Sequence, residues 1–397
     1  MKASLLPIAQ AVAGTLVLLL PFAASAVELG DKLSVTGFFS LQGIYTDEAG
    51  ASVPRPQGEA SDLEADKFDF DSSVLGARAD LDLFDGLGAS LQVISTKQTE
   101  DSYDPEVEWA YLKYDFDNDV SVRVGQMKMP FLQGTELRYV GHSRQWAWPV
   151  VPINGAGGFD VLRGAEIYYS TYYDDYDILL HASLGEPDHG LDFIKDTWAG
   201  LVSAELDSGA GKLRASYMQA GFDIYSEDDQ LLYANTTLRM GSLEGEYERN
   251  NWITHGGVAT GTAYKHPDEY LAYFSLGYRF DRFTPFALFS RKEMRFESLA
   301  FFEEEDSDLL TGGPEEGVDP GPPGEPPPPP PPDFVEQDQD GKRIDDTFAI
   351  GVRYDLTPRL AMKFQWDYLK SSSKAVIGEP DQTHKFNIYT FVIEGVF

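Results

Sequence analysis

Residues 128–158, KMPFLQGTELRYVGHSRQWAWPVVPINGAGG, have the most distinctive charge chemistry in this chain. Lys128, Arg138 and Arg144 are opposed there only by Glu136, a local net of +2 with His142 in addition, although the 397-residue chain carries a formal net charge of −34. Trp146, Trp148 and three prolines give the segment apolar anchors and stiff points. Basic groups on a compact loop attract anions, and at close range they select a permeant of the opposite sign. Covalent chemistry has little to work with. His142 and Ser143 are sequence neighbours, and adjacent side chains on extended backbone point apart. The chain has no G-x-S-x-G elbow, no H-E-x-x-H pair and no cysteine, and its six histidines do not fall at metal-ligand spacing. No catalytic residues and no cofactor are therefore expected. The balance of 65 acidic to 31 basic residues excludes nucleic acid as a partner.

Two other segments are rich in carboxylates. Residues 46–71 hold Asp47, Glu48, Glu59, Asp62, Glu64, Asp66, Asp69 and Asp71 against Arg55 and Lys67, a net of −6. Residues 297–345 contain FFEEEDSD and PEEGVDPGPPGEPPPPPPP, with eleven of the chain's 24 prolines. Such a run cannot pack and is expected to project as a stiff polyproline II arm. Its carboxylates are a candidate for divalent cations that bridge lipopolysaccharide, with plain solvation as the alternative.

These segments need a scaffold that leaves long loops on one side. Residues 1–26 read as a secretory signal, with Lys2, the apolar run AVAGTLVLLL and the small-residue site Ala24-Ser25-Ala26, so the mature chain spans 27–397. Beyond residue 26 no uninterrupted apolar run approaches the roughly 18 residues that a transmembrane helix needs. The sequence instead breaks into alternating runs of about ten residues, bounded by turn residues. Sixteen can be placed, from 33–45 to 386–397, including 230–240 and 242–252 joined by a turn at Gly241-Ser242. Short connections such as FDGLG and FDND alternate with longer ones, among them 128–158, 253–266 and 297–345. Seven short turns and eight longer loops put both ends of a sixteen-stranded sheet on the short-turn side. The expected fold is all-β, a sixteen-stranded antiparallel transmembrane β-barrel with short periplasmic turns and long external loops.

Alternation assigns the faces. Phe348, Ile350, Val352 and Tyr354 should face lipid, as should Leu360, Met362, Phe364, Trp366 and Tyr368, leaving Lys363, Gln365 and Asp367 inside. Arg78, Arg123, Arg214, Arg239, Arg279 and Arg353 are expected in the lumen. They would form either a basic track along the wall or pairs with inward carboxylates such as Asp80, Glu244, Glu246 and Glu248. Glu166 reads as inward and Arg163 as rim. An interior with this many charges cannot be dry, because unpaired buried charges are costly, and sixteen strands enclose more space than side chains fill.

The last run, FNIYTFVIEGVF, sets Tyr389, Phe391, Ile393 and Phe397 on one face and Thr390 and Glu394 on the other. In this it resembles the closing strand of Gram-negative outer-membrane porins. Gly125 to Phe131, GQMKMPF, resembles the glycine-x-x-lysine-x-proline-phenylalanine run of the phosphate-selective porin superfamily. The resemblance implies a homotrimeric porin in the outer membrane of a Gram-negative bacterium, in contact with lipid and lipopolysaccharide and passing small hydrophilic solutes. It makes 128–158 the constriction loop and Lys128 a pore-side cation at its entrance. The loop's basic excess favours anions or organic acids, whereas the acidic loops at the mouth oppose them. The alternative is an outer-membrane adhesin or structural barrel acting through 297–345.

Overall fold

The computed structural model describes residues 27–29, 32–48, 51–54, 60–97, 103–147, 161–188, 194–225, 231–263, 268–296, 341–374 and 382–397. Residues 1–26, read above as a signal, residues 148–158 of the basic loop, and the proline-rich stretch lie outside them. Sixteen long strands, with the short strands Val27–Leu29 and Phe68–Asp69 paired to the first of them, form one antiparallel sheet that closes on itself. They are β1 (Leu33–Thr46), β2 (Val74–Phe84), β3 (Leu87–Thr96), β4 (Pro105–Asp115), β5 (Val120–Lys128), β6 (Val161–Tyr173), β7 (Tyr176–Asp188) and β8 (Ile194–Asp207), then β9 (Gly211–Tyr225), β10 (Leu231–Arg249), β11 (Trp252–Ala263), β12 (Asp268–Tyr278), β13 (Phe283–Phe296), β14 (Gly341–Thr357), β15 (Leu360–Lys374) and β16 (Gln382–Val396). Each pairs with the next, and β16 returns to β1 in a register running from Phe38 opposite Val396 to Thr46 opposite Ile388. Closure gives every edge strand a partner, which a strand crossing a bilayer requires. At the seam the Phe397 N–H donates to the Gly37 carbonyl at 2.8 Å, and the Gly37 N–H donates back at 2.7 Å. A Cβ at Gly37 would collide with the Phe397 ring.

The expected faces hold where the expected boundaries hold. Phe348, Ile350 and Phe364 are exposed on the outer wall, while Lys363, Gln365 and Asp367 are buried inside. Phe84, Phe116, Tyr172, Tyr173, Phe280 and Phe283 are exposed beside the short turns, as an aromatic girdle at one membrane interface requires.

One turn lies elsewhere than expected. Gly241 and Ser242 sit inside β10, opposite Tyr217 and Ser216, and the chain reverses at Asn250-Asn251, whose φ angles are 50° and 68°. Asparagine tolerates this left-handed conformation and suits a two-residue hairpin turn. The 253–266 segment read as loop is therefore mostly β11. Without a turn at 241 the alternation runs unbroken through β10, where Leu243 and Tyr247 are exposed and Met240 and Glu244 are buried inside. Arg239 shares the outward parity of Leu243, so it faces away from the lumen and is no part of a basic track. Similarly, β14 begins at Gly341, so part of the supposed 297–345 loop belongs to the wall.

Candidate functional site: the loop inside the barrel

The chain after β5 turns into the lumen and is held there by the wall. Close to β5, Arg214 of β9 donates to the Pro130 carbonyl at 2.5 Å, and Ser242 of β10 to the Phe131 carbonyl at 3.2 Å. The Gln133 N–H donates to the Glu244 carboxylate, which also accepts from the Tyr273 hydroxyl at 2.8 Å. The loop then crosses to the other wall. Tyr139 packs with Phe38, Val74 and Ile94, and a short 3-10 turn follows at Gly141–Ser143. Arg353 of β14 donates to the carbonyls of His142 and Arg144 at 2.8 and 2.9 Å. Lys363 of β15 donates to those of Gly141 and Trp146 at 2.8 and 2.9 Å and pairs with Glu394 of β16. Trp146 Nε1 and Gln145 Nε2 both reach the Ser275 hydroxyl, at 2.7 and 2.6 Å, and the Ala147 N–H reaches Gln365 Oε1 at 2.9 Å. Carbonyls and N–H groups of irregular backbone need partners when water is excluded, and inward-facing wall residues supply them here.

The lumen is not uniformly polar. Met129, Phe131, Leu132 and Trp146 pack against Leu162, Leu201, Met218, Met240, Leu271, Phe286 and Leu288, which point inward from β6 to β13. The loop thus docks on an apolar half of the wall. Sequence alternation missed this, because those strands carry apolar residues on both faces; that doubled apolarity is the signal that could have shown it.

The residues singled out in the sequence fall into distinct settings. Lys128 is buried, with a side chain 3% exposed, and pairs with Glu108 at 3.2 Å below the Tyr139 ring. A bulge in β4, where Gln92 and Val93 face Trp109 and Val107, turns the intervening Glu108 inward. Lys128 is thus buried and paired at the start of the loop, its charge matched by Glu108. Arg78 pairs with Asp80 at 2.8 Å. Arg123 lies between the Tyr111 and Tyr168 rings, 3.7 Å from Glu166 and 3.9 Å from Glu136 of the loop. Arg214 lies 3.9 Å from Glu205, Arg279 lies 2.5 Å from Glu248, and Arg353 lies 2.8 Å from Asp355. Of the two arrangements open to the wall arginines, these five adopt pairing. Glu166 is inward and buried, and Arg163 is exposed on the outer face beside Gln126. Arg138 donates to the Tyr139 hydroxyl at 3.1 Å and Arg144 to the Arg138 carbonyl at 2.8 Å. No carboxylate lies within 4.0 Å of Arg144 among the described residues. Burial, with Arg138 adding to it and Glu394 opposing it, brings its pKa down to about 10, so it stays charged at neutral pH.

On the short-turn side of the loop lies an open cavity of about 620 Å³. His142, Arg144 and Gln145 of the loop line one part with Arg353 and Asp355, and Asp207, Lys212, Glu246 and Glu248 line another. Burial and the neighbouring Arg353 guanidinium hold the His142 imidazole below its ordinary pKa, and burial raises Glu136. Among the described residues no group of three or more His, Cys, Asp or Glu is arranged to hold a metal. A walled passage with a charged narrowing and a polar cavity beneath it can sort solutes by size and charge.

A family model described as Gram-negative porin matches residues 11–374. No curated protein matches the sequence. Among solved structures, a loop-deletion form of OmpT, an outer membrane protein of Vibrio cholerae, is 11% identical with a TM-score of 0.57, covering 92% of this chain and 99% of that one. The outer membrane channel DcaP of Acinetobacter baumannii is 10% identical with a TM-score of 0.55, covering 94% and 100%. An anion-selective porin from Comamonas acidovorans is 12% identical with a TM-score of 0.53, covering 92% and 99%. At these identities the likeness is one of fold.

Proposed function

From the premise that this chain belongs to the Gram-negative porin family, and is an outer-membrane channel, we propose that it admits small hydrophilic solutes by passive diffusion, with a lean toward anions. The observation that carries this reading is the loop of residues 129–147, held inside the lumen by Arg214, Ser242, Arg353 and Lys363 while a polar cavity stays open beneath it. A loop so fixed sets an aperture, and its charge acts on ions at close range. The anion lean rests on Arg144, which has no carboxylate within 4.0 Å among the described residues, since the wall arginines beside it are neutralised by their carboxylates. A homotrimer is part of the proposal. One of the similar structures, OmpT of Vibrio cholerae at 11% identity, is described in a trimer form. Single-channel recording of the purified protein in a planar bilayer under a salt gradient tests the reading. Stable current steps with a reversal potential of anion sign are expected; a folded barrel that never conducts would overturn it.

A further inference from the structure

Charge in the cavity below the loop is balanced but separated. At the ends of β8 to β10, the Lys212 ammonium has three carboxylates around it, Asp207 at 3.5 Å, Glu246 at 3.8 Å and Glu205 at 4.0 Å. Arg214 adds a second cation, 3.9 Å from Glu205. Among the described residues, three carboxylates against two cations leave this end one negative charge in excess, with His255, 3.6 Å from Glu246, adding charge only when protonated. Glu248 is matched by Arg279 and does not alter the count. At the loop end Arg353 is matched by Asp355, and among the described residues Arg144 is left as one positive charge in excess. Arg144 Nε and Gln145 Oε1 are also buried without a hydrogen-bond partner, and both residues line the cavity.

We infer that this cavity binds a zwitterionic solute of short-peptide type, its carboxylate on Arg144 and its ammonium toward Asp207 and Glu246. The inference deepens the diffusion-channel reading, for it names the solute class favoured below the aperture. A guanidinium with free N–H groups is a natural carboxylate receptor, and three clustered carboxylates with too few cations are a natural ammonium receptor. The size of the cavity favours a peptide over a single amino acid. β10 and β14 are four strand spacings apart, roughly 19 Å of wall, a gap that Arg144 shortens by projecting from the loop. The two charges of an α-amino acid lie too close together to engage both ends.

Calorimetric titration of the detergent-solubilised full chain with triglycine, N-acetyl-triglycine and triglycine amide tests this. These probes share one backbone and present both charges, only the carboxylate, or only the ammonium. Triglycine should bind about tenfold more tightly than either of the others. Arg144→Gln should bring triglycine down to the level of its amide, and Glu246→Gln should bring it down to the level of the acetylated form. Circular dichroism of each variant confirms that the barrel is folded. Equal affinity for all three probes, or tightest binding of the acetylated form, would overturn the zwitterion site. Because titration needs no conduction, a protein that binds triglycine but passes no current supports the site while refuting the channel reading.

Discussion

Lys363 and Glu394 form an ion pair whose side chains are both fully buried, and the same Lys363 ammonium holds the Gly141 and Trp146 carbonyls. Removing one partner of a buried pair costs about 3–5 kcal/mol, whereas removing both costs less. Lys363→Met should therefore loosen the loop, giving larger and noisier current steps and faster proteolysis within residues 129–147. The double variant Lys363→Met/Glu394→Gln should recover part of the quiet behaviour. Identical noise in single and double variants would show that the pair does not hold the loop.

Trp146 anchors the loop on the apolar half of the wall. Trp146→Ala removes the indole from that cluster and its donor from Ser275, a change that costs about 3–5 kcal/mol in a packed core. The loss falls on loop docking, because the strand ladders do not depend on Trp146. Conductance should rise while the melting temperature of the barrel, followed by far-ultraviolet circular dichroism, changes little.

Selectivity should follow Arg144 rather than Lys128. Arg144→Ala removes a cation that no carboxylate among the described residues pairs with, so the reversal potential under a salt gradient should move toward cation preference. Exchanging the charges of the Lys128–Glu108 pair, Lys128→Glu/Glu108→Lys, leaves its net charge unchanged and should leave the reversal potential where it was. A reversal potential indifferent to Arg144→Ala, with cation preference throughout, refutes the anion lean.

His142 gives the channel a pH dependence of definite sign. Its pKa is held below the ordinary histidine value by burial and Arg353, so it is neutral at neutral pH and gains a proton only as the pH falls below that ordinary value. Protonation places a further positive charge beside Arg144 and raises anion preference. The same proton is taken up against burial, so it disfavours the docked loop and current noise should grow over the same interval. Glu136, raised by burial, also loses its negative charge on acidification, which makes His142→Asn the informative control. The part of the shift that this variant abolishes belongs to His142.

Much of the wall was legible because lipid and water enforce period two on each strand. Phe348 and Ile350, or Lys363 and Gln365, declare their faces without knowledge of any contact. Parity carries a weakness of its own, seen at Arg239. One false turn at Gly241-Ser242 inverted the assignment of Arg239 just before it, while Glu244, Glu246 and Glu248 after it stayed correct. The loop's charge was legible too, but its anchors were not. Nothing local to Lys128 reveals a bulge that aims Glu108 at it, and nothing in residues 128–147 reveals that Arg353 and Lys363, more than 200 positions away, hold their carbonyls. Such contacts are set by the circumference of the closed sheet.

The distance along the chain between the loop and its holdfasts has a consequence for biogenesis. Residues 129–147 leave the ribosome well before Arg353, Lys363, Gln365 and Glu394, on which their final position depends. The aperture is thus among the last things to be made. A nascent barrel that still lacks β14 to β16 leaves the Gly141–Ala147 half of the loop without these holdfasts, so completing the wall and setting the bore fall to the same terminal strands.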